Sequence, residues 1–501
     1  MYLEEIFTMK VPFSKKVLFV SSEVFPLIKT GGLADVSGSL PSALQSLGVD
    51  IRILMPGYPA VLNQLFNLQP IVSLGNLPVI EQAELMLGTI KDTQVKVMVI
   101  KSASLYERDG GPYSDTNGQE WPDNPVRFGV LSKVAATLSG DQTPLTDWHP
   151  DIVHCNDWQT GLTPAYMKLL EDTESKSIIS LHNMAFQGCY SPDWVATLGL
   201  PAAKFTMEGF EYYGQLSFLK AGIYYADAIC TVSPSYAEEI QTTEFGFGLE
   251  GLLKTRGKEI KGILNGIEID EWNPETDPHL IKTYSATKIA GKKQVKKTLQ
   301  QKLGLNNDAN APLLGVVSRL THQKGLDLLL PNMQHLLDAG CQLALLGCGE
   351  NTLESSFQAI AEQNPDRVSV NIGYNEPLSH QIMAGCDMFI MPSRFEPCGL
   401  NQLYGLAYGT PPIVNATGGL ADSVIDTNTA TIKDKTANGF VMAEATAEAL
   451  LASITRALEV FNNGPKTWRQ IQKNGMSQNL SWDKSALEYL ALYQDLYQEE
   501  T

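Results

Sequence analysis

Arg319 and Lys324 stand five residues apart in Val317-Ser318-Arg319-Leu320-Thr321-His322-Gln323-Lys324-Gly325-Leu326, directly after an apolar run. An arginine fork and a lysine point charge on one loop suit a departing diphosphate, because preorganised donors act where negative charge develops. Taken alone, the pair reads equally well as surface charge. A second string, Met391-Pro392-Ser393-Arg394-Phe395-Glu396-Pro397-Cys398-Gly399-Leu400, crowds Pro, Glu, Cys and Gly between an apolar run and a helix expected from about Gly399. Backbone N–H groups at that helix start could hold phosphate, with Glu396 supplying a carboxylate beside it. The other reading of Glu396 is an acid serving the helix N-terminus.

Nearer the start of the chain, Ser21, Ser22 and Glu23 follow an apolar run and lead into Lys29-Thr30-Gly31-Gly32-Leu33. Paired glycines ahead of a helix let N–H groups approach an anion, and Lys29 adds charge. The string is neither GxxxxGK[ST] nor GxGxxG, and an ordinary turn could carry the same residues. His182-Asn183, and Asp157 within Asn156-Asp157-Trp158, could hydrogen-bond sugar hydroxyls, although a lone His is more often structural. No D-x-D string occurs in the chain, so a metal-bridged diphosphate held by paired carboxylates has no support. Neither a metal site nor a cofactor is expected, and leaving-group charge falls to Arg319, Lys324 and helix N-termini.

These strings follow short apolar runs that read as strands. In one series, Lys16–Val20 precedes a helix predicted over Leu33 to Leu47, with Leu33, Val36, Leu40, Ala43, Leu44 and Leu47 on its apolar face. Strands are predicted over 50–55, 95–100, 151–154, 177–181 and 228–232. A second series starts at Gly262-Ile263-Leu264 and continues at 313–317, 342–346, 368–370, 388–391 and 412–414. Runs without polar alternation imply strands covered on both faces, so the fold class is α/β with two doubly wound parallel sheets. The expected division is an N-terminal domain over 1–261, with an irregular extension over 1–14, and a C-terminal domain over 262–480. A final amphipathic helix follows at 481–501, carrying Ala486, Leu490, Tyr493 and Tyr497 on one stripe. Ligands of such sheets bind beyond the carboxyl ends of the strands, where the unusual residues cluster.

The 501 residues exceed one core, and a formal charge of -18 makes nucleic acid or an anionic membrane an unsuitable partner. Seven scattered cysteines without CxxC spacing suggest neither disulfides nor zinc. With no signal-like segment and no long apolar run, a soluble cytoplasmic protein is expected.

Together, the strings Lys29 to Leu33, His182-Asn183, Gly262 to Ile267, Ser318-Arg319-Leu320 with Gln323-Lys324-Gly325, Glu396 to Leu400 and Thr417-Gly418-Gly419-Leu420 resemble the bacterial glycogen synthase and plant starch synthase family. Their order and spacing run from about residue 16 to the end. The resemblance implies a GT-B fold, with two Rossmann-like domains facing a central cleft and the last helix returning to the N-terminal domain. It implies transfer of glucose from ADP-glucose to the non-reducing end of an α-1,4-glucan such as glycogen or a maltooligosaccharide, with retention. Lys29, Gly31, Gly32, Asn265, Tyr374, Cys398, Gly399, Leu400 and Thr417 then fall to the donor, with Tyr374 packing on the adenine. Arg319, Lys324, Glu396 and His182 fall to catalysis, and Asp157 and Glu23 to the acceptor.

Two positions depart from common patterns. Asn156 and Gln159 stand where many members have histidines, and Tyr404 stands where the wider retaining class has a second glutamate. Front-face displacement is what the resemblance implies; double displacement through Glu396 stays open. The competing readings are a UDP-glucose-preferring synthase, a non-catalytic glucan or nucleotide binder, and a phosphorylase, for which no pyridoxal-lysine string is evident.

Overall fold

The computed structural model describes residues 13–75 and 83–497 and divides the chain into two units. The first runs to Val232, resumes at Ala237–Ile263, and takes in the chain from Ser485 onward; the second comprises Ser233–Tyr236 and Leu264–Lys484.

Among the described residues, the first unit is built on a nine-stranded sheet. Its strands are β1 Lys16–Val20, β2 Asp50–Pro56, β3 Phe66–Leu74, β4 Ala83–Thr89, β5 Lys96–Lys101, β6 Ile152–Asn156 and β7 Lys176–Leu181. After a small sheet of β8 Cys189–Tyr190, β9 Glu211–Tyr212 and β10 Gln215–Ser217, the large sheet is completed by β11 Ala228–Thr231 and β12 Ile260–Gly262. The order is β12-β11-β7-β6-β1-β2-β5-β4-β3, parallel except that β4 runs antiparallel to both its neighbours. Val17 to Val20 are fully buried, as a central parallel strand with helices on both faces requires. The helix Gly32–Ser46 buries Leu33, Val36, Leu40 and Leu44, whereas Leu47, expected on the same face, lies at its exposed C-cap.

The helix Asn124–Ser139 was not foreseen. Nearly all of its residues are buried, including Arg127, so it carries no polar stripe from which a helical period could be read. Arg127 is tolerated because its guanidinium donates to the carbonyls of Leu105 and Pro112 and to Asn124 Oδ1.

The second sheet consists of β13 Leu313–Val317, β14 Gln342–Gly347, β15 Val368–Ile372, β16 Met388–Met391, β17 Pro412–Asn415 and β18 Phe440–Met442. All its pairings are parallel, in the order β15-β14-β13-β16-β17-β18. Counted from its own first strand, this is the 3-2-1-4-5-6 order of dinucleotide-binding folds. One apolar core joins Leu314, Val316, Leu343, Leu345 and Ile390 to Phe357, Ile454 and Trp468 on the covering helices. Each such side chain contributes about 1.5–3 kcal/mol when fully buried.

Three expectations need correction. Gly262-Ile263-Leu264 does not open the second sheet; Ile260–Gly262 instead pairs in parallel with β11 as the edge of the first, because Ile229 and Ile260 stand in register. The helix expected near Gly399 begins at Asn401, since Gly399 takes a left-handed φ of 71° that no helix can include. The last helix, Trp482–Asp495, buries Ala486, Tyr489, Leu492 and Tyr493, while Leu490 and Tyr497 are only half-buried. Its Tyr493 hydroxyl lies 2.7 Å from His154 Nδ1 in β6, and Tyr497 donates to the Asp151 carbonyl at 2.7 Å. The extension expected over 1–14 lies outside the described residues apart from its last two. Among the described residues no helix is long and apolar enough to cross a membrane.

Candidate functional site

In the first unit the chain reverses its direction of sheet growth at β1, which has β2 on one side and β6 on the other. Ligands of open α/β sheets sit at the carboxyl ends of strands beside such a switch point. Glu23 follows β1 there, Asp157 follows β6 and His182 follows β7.

Glu23 is 3% exposed and gathers donors. Its Oε1 accepts from the Tyr113 hydroxyl at 2.7 Å, and its Oε2 from the N–H groups of Thr30 at 2.5 Å and Gly31 at 3.2 Å. Burial pushes this carboxyl upward in pKa, while the three donors pull it back. The expected anion cradle of Lys29-Thr30-Gly31-Gly32 is therefore already engaged by a carboxylate of the chain itself. Lys29 is likewise engaged, 2.8 Å from Asp35, in an exposed pair of the kind worth ~1 kcal/mol or less, so a ligand could displace it at little cost. An added Cβ at Gly31 or Gly32 would meet nothing within 4 Å, which leaves the loop open to close approach. Tyr113 carried no recognisable string and was missed by sequence reasoning.

Asp157 has φ 59° and ψ -173°, a region almost reserved for glycine, and strain of that kind collects at functional positions. It is held by its own N–H to the Ser180 carbonyl at 2.9 Å and by its carboxylate to the Trp158 N–H at 3.1 Å. Burial pushes its pKa up to about 8, with the Trp158 N–H opposing and the Glu23 charge adding. A carboxyl raised in this way takes up a proton more readily than an ordinary aspartate, and when protonated it can donate a hydrogen bond.

His182 Nε2 lies 3.0 Å from Asn156 Oδ1, and the Asn156 amide donates to the Val20 carbonyl at 3.0 Å. The asparagine at this departing position therefore orients the histidine. Its carbonyl can only accept, which places the proton on Nε2 and leaves Nδ1 as an acceptor. Burial lowers His182 from 6.5 to about 4. A depressed folded value gives a stability contribution present above pH 6.5 and lost as pH falls through about 4. His182→Asn is accordingly expected to lessen the slope of unfolding free energy against pH across that window in denaturant melts. An unchanged slope would mean that the ring titrates freely in the fold.

In the second unit the switch point lies between β13 and β16. The loop after β13 brings Lys324 Nζ to 2.5 Å from Glu396 Oε2 on the loop after β16, and Ser393 Oγ donates to the same oxygen at 3.0 Å. Glu396 is 6% exposed and does not cap the helix at Asn401, which starts without a side-chain cap. Arg319 is exposed, and its guanidinium forms no ion pair or hydrogen bond with a described residue. Arg394, not singled out in the sequence, clamps both loops: it is bidentate to Asp327 at 2.7 and 2.6 Å and donates to the His322 carbonyl at 2.7 Å.

Close backbone contact sets the rest of this region. Thr417 is buried, and beyond it an added Cβ at Gly418 would lie 2.0 Å from the Glu396 carbonyl oxygen and one at Gly419 2.2 Å from that of Cys398. The paired glycines thus let the loop after β17 lie directly on the carboxylate loop. Cys398 is buried, its thiol pushed up to about 12, so it is a neutral lining group and no nucleophile. Asn265 has a buried Oδ1 with no hydrogen-bond partner among the described residues, an orphan of the kind a ligand hydroxyl satisfies. Leu400 is half-buried beside Gly399, and Tyr374 follows β15 with 79% exposure, a free aromatic face at a strand end. Tyr404 stacks on Trp272 at 3.7 Å with 10° between the rings, so it is a packing residue.

Residues 16–255 match the model of the starch synthase catalytic domain and residues 295–476 that of glycosyl transferases group 1. The chain is 50% identical over 487 residues, 97% of its length and 98% of the relative's, to a glycogen synthase of Nitrosospira multiformis. It belongs to the glycogen synthase family. A glycogen synthase of Nitrosomonas eutropha is 51% identical, with 97% of each chain covered. Among solved structures, the catalytic domain of starch synthase IV from Arabidopsis thaliana, bound to ADP and acarbose, superposes with a TM-score of 0.85. It is 31% identical and covers 96% of this chain and 99% of its own. Sucrose-phosphate synthase from Thermosynechococcus elongatus, with TM-score 0.58, 17% identity and 97% and 100% coverage, shares the fold alone. The family is one of hexosyltransferases, and the two Rossmann-like sheets are those of a GT-B glycosyltransferase.

Proposed function

We propose that this glycogen synthase family member transfers glucose from ADP-glucose to the non-reducing end of an α-1,4-glucan, with retention and without a catalytic metal, in the cytoplasm. The observation that carries the reading is the Lys324–Glu396 pair, its carboxylate buried, at the switch point of a dinucleotide-type sheet, on a loop that also carries Arg319, whose guanidinium has no partner among the described residues. Arg319 and Lys324 receive the charge that develops on the departing diphosphate, and Glu396 faces the donor glucose. Tyr374 offers its ring to the base. Asn265, Cys398, Gly399, Leu400 and Thr417 complete the donor surface.

Lys29, Gly31 and Gly32 contribute to the donor from the first unit, where Lys29 exchanges Asp35 for ligand. His182, Asp157 and Glu23 address sugar hydroxyls. The neutral His182 supplies an acceptor, and Asp157, its pKa raised by burial, supplies a donor when protonated. Retention follows from front-face displacement, in which the leaving diphosphate takes the acceptor proton as the new glycosidic bond forms. The ADP in the starch synthase IV complex supports the choice of adenine nucleotide. The absence of D-x-D supports leaving-group stabilisation by cationic side chains.

The test is incorporation of labelled glucose into glycogen from ADP-glucose and, separately, UDP-glucose, each with and without a chelator. Chelator-resistant transfer favouring ADP-glucose is expected. A preference for UDP-glucose would overturn the donor assignment, chelator-sensitive transfer the metal independence, and no transfer from either donor the whole reading.

A further inference from the structure

The ten-residue helix Glu376–Gly385 begins with Glu376 and carries His380 one turn later on the same face. His380 is 1% exposed. Its Nδ1 lies 2.9 Å from Asp277 Oδ2, an oxygen that also accepts from the Tyr408 hydroxyl at 2.5 Å. Asp277 Oδ1 is fixed in turn by the His279 N–H at 2.8 Å. The imidazole lies flat on Trp272, with centroids 3.9 Å apart and 12° between planes. The ring is thus fixed in position and in rotation.

Its other nitrogen is not satisfied. Nε2 is buried and has no hydrogen-bond partner among the described residues; Glu376 Oε1 stands 3.7 Å away, beyond hydrogen-bond reach. Glu271 brings a second carboxylate to the same point, so that ligand atoms of Glu271, Glu376 and His380 all lie within 4.8 Å of one another. A histidine whose Nδ1–H is held by a carboxylate presents the Nε2 lone pair in a fixed direction, which is how metal-binding histidines are supported. One imidazole and two carboxylates, with water completing the sphere, form a set that suits a divalent cation of the zinc type.

We propose that Glu271, Glu376 and His380 form a divalent-cation site, with Asp277 and Trp272 holding the histidine as a preset ligand. The site is separate from the Lys324–Glu396 pair and supplies nothing to glucosyl transfer. Its place in the fold gives it a structural role: a cation there ties the turn that carries Glu271 to the first turn of the helix that follows Tyr374. The competing occupant of Nε2 is a proton. Burial opposes the imidazolium, but Asp277 and Glu376 outweigh it and lift His380 to about 9. The measurement therefore belongs at mildly alkaline pH.

The full chain, stripped with a chelator and then dialysed, is titrated with Zn2+ in a calorimeter, with Trp emission followed in parallel. One equivalent is expected to bind with a change in emission from Trp272 and a rise in melting temperature. Glu271→Gln is expected to weaken that equivalent at least tenfold while the zinc-free chain keeps its native circular dichroism, because the Nδ1 side of His380 is held by Asp277. Glu376→Gln is expected to weaken it similarly. Absence of the equivalent in the native chain, or equal affinity in Glu271→Gln, would overturn the site and leave a protonated His380 between carboxylates. Transfer activity is not the readout, so this result stands apart from that of the donor assay.

Discussion

Glu396→Gln is expected to lower glucosyl transfer roughly a hundred- to a thousandfold, the usual loss when one preorganised charge contact at a transition state is removed. The glutamine keeps an acceptor for Lys324 and Ser393, so circular dichroism and the melting temperature should stay close to those of the native chain. Lys324→Ala is expected to lose activity to the same extent, with a further cost. It strands a carboxylate that is only 6% exposed, and removing one partner of a buried pair costs about 3–5 kcal/mol. Because the two side chains act as a unit, the double variant Lys324→Ala with Glu396→Gln should be scarcely less active than either single one. Multiplicative losses would show instead that the residues act independently, and near-native rates in Glu396→Gln would remove the carboxylate from the chemistry.

Gly418→Ala is the second substitution with a large expected effect. Its Cβ would stand 2.0 Å from the carbonyl oxygen of Glu396, a backbone atom that cannot swing aside, and the residue has φ 44°. Overpacking and left-handed strain together should cost roughly 2–4 kcal/mol in denaturant melts. Activity should fall further than stability alone explains, since the displaced main chain carries Glu396. Gly304→Ala is the control: φ there is 71°, but the added Cβ would meet nothing within 4 Å, so only the conformational cost applies. Equal effects at the two positions would show that the loop contact plays no part.

Much of this was legible in order along the chain. Buried parallel strands announce themselves as apolar runs, and the residues just beyond them, Arg319, Lys324, Glu396, Asp157 and His182, fall at strand ends in the structure as expected. What periodicity cannot show is an element without a polar face, which is why Asn124–Ser139 escaped. Nor can it show to which sheet a short strand belongs, which is why Gly262-Ile263-Leu264 was expected to open the second sheet while Ile260–Gly262 pairs in the first. Both depend on neighbours remote in sequence.

The sequence by itself determined residue chemistry, the two-sheet class and the family, because these rest on composition, on local period and on strings in a fixed order. Only the tertiary structure decided how those groups are engaged: that Glu23 takes the N–H groups of the glycine loop, and that Lys324 and Glu396 pair across 72 residues. It decided equally that Arg394 locks both loops, while Arg319 has no partner among the described residues, and that there His380 has one nitrogen satisfied and one not. The physical reason is that a side chain's charge, protonation and hydrogen-bond state are set by what lies within a few ångströms. That neighbourhood is assembled by strand order, which no local stretch of sequence encodes.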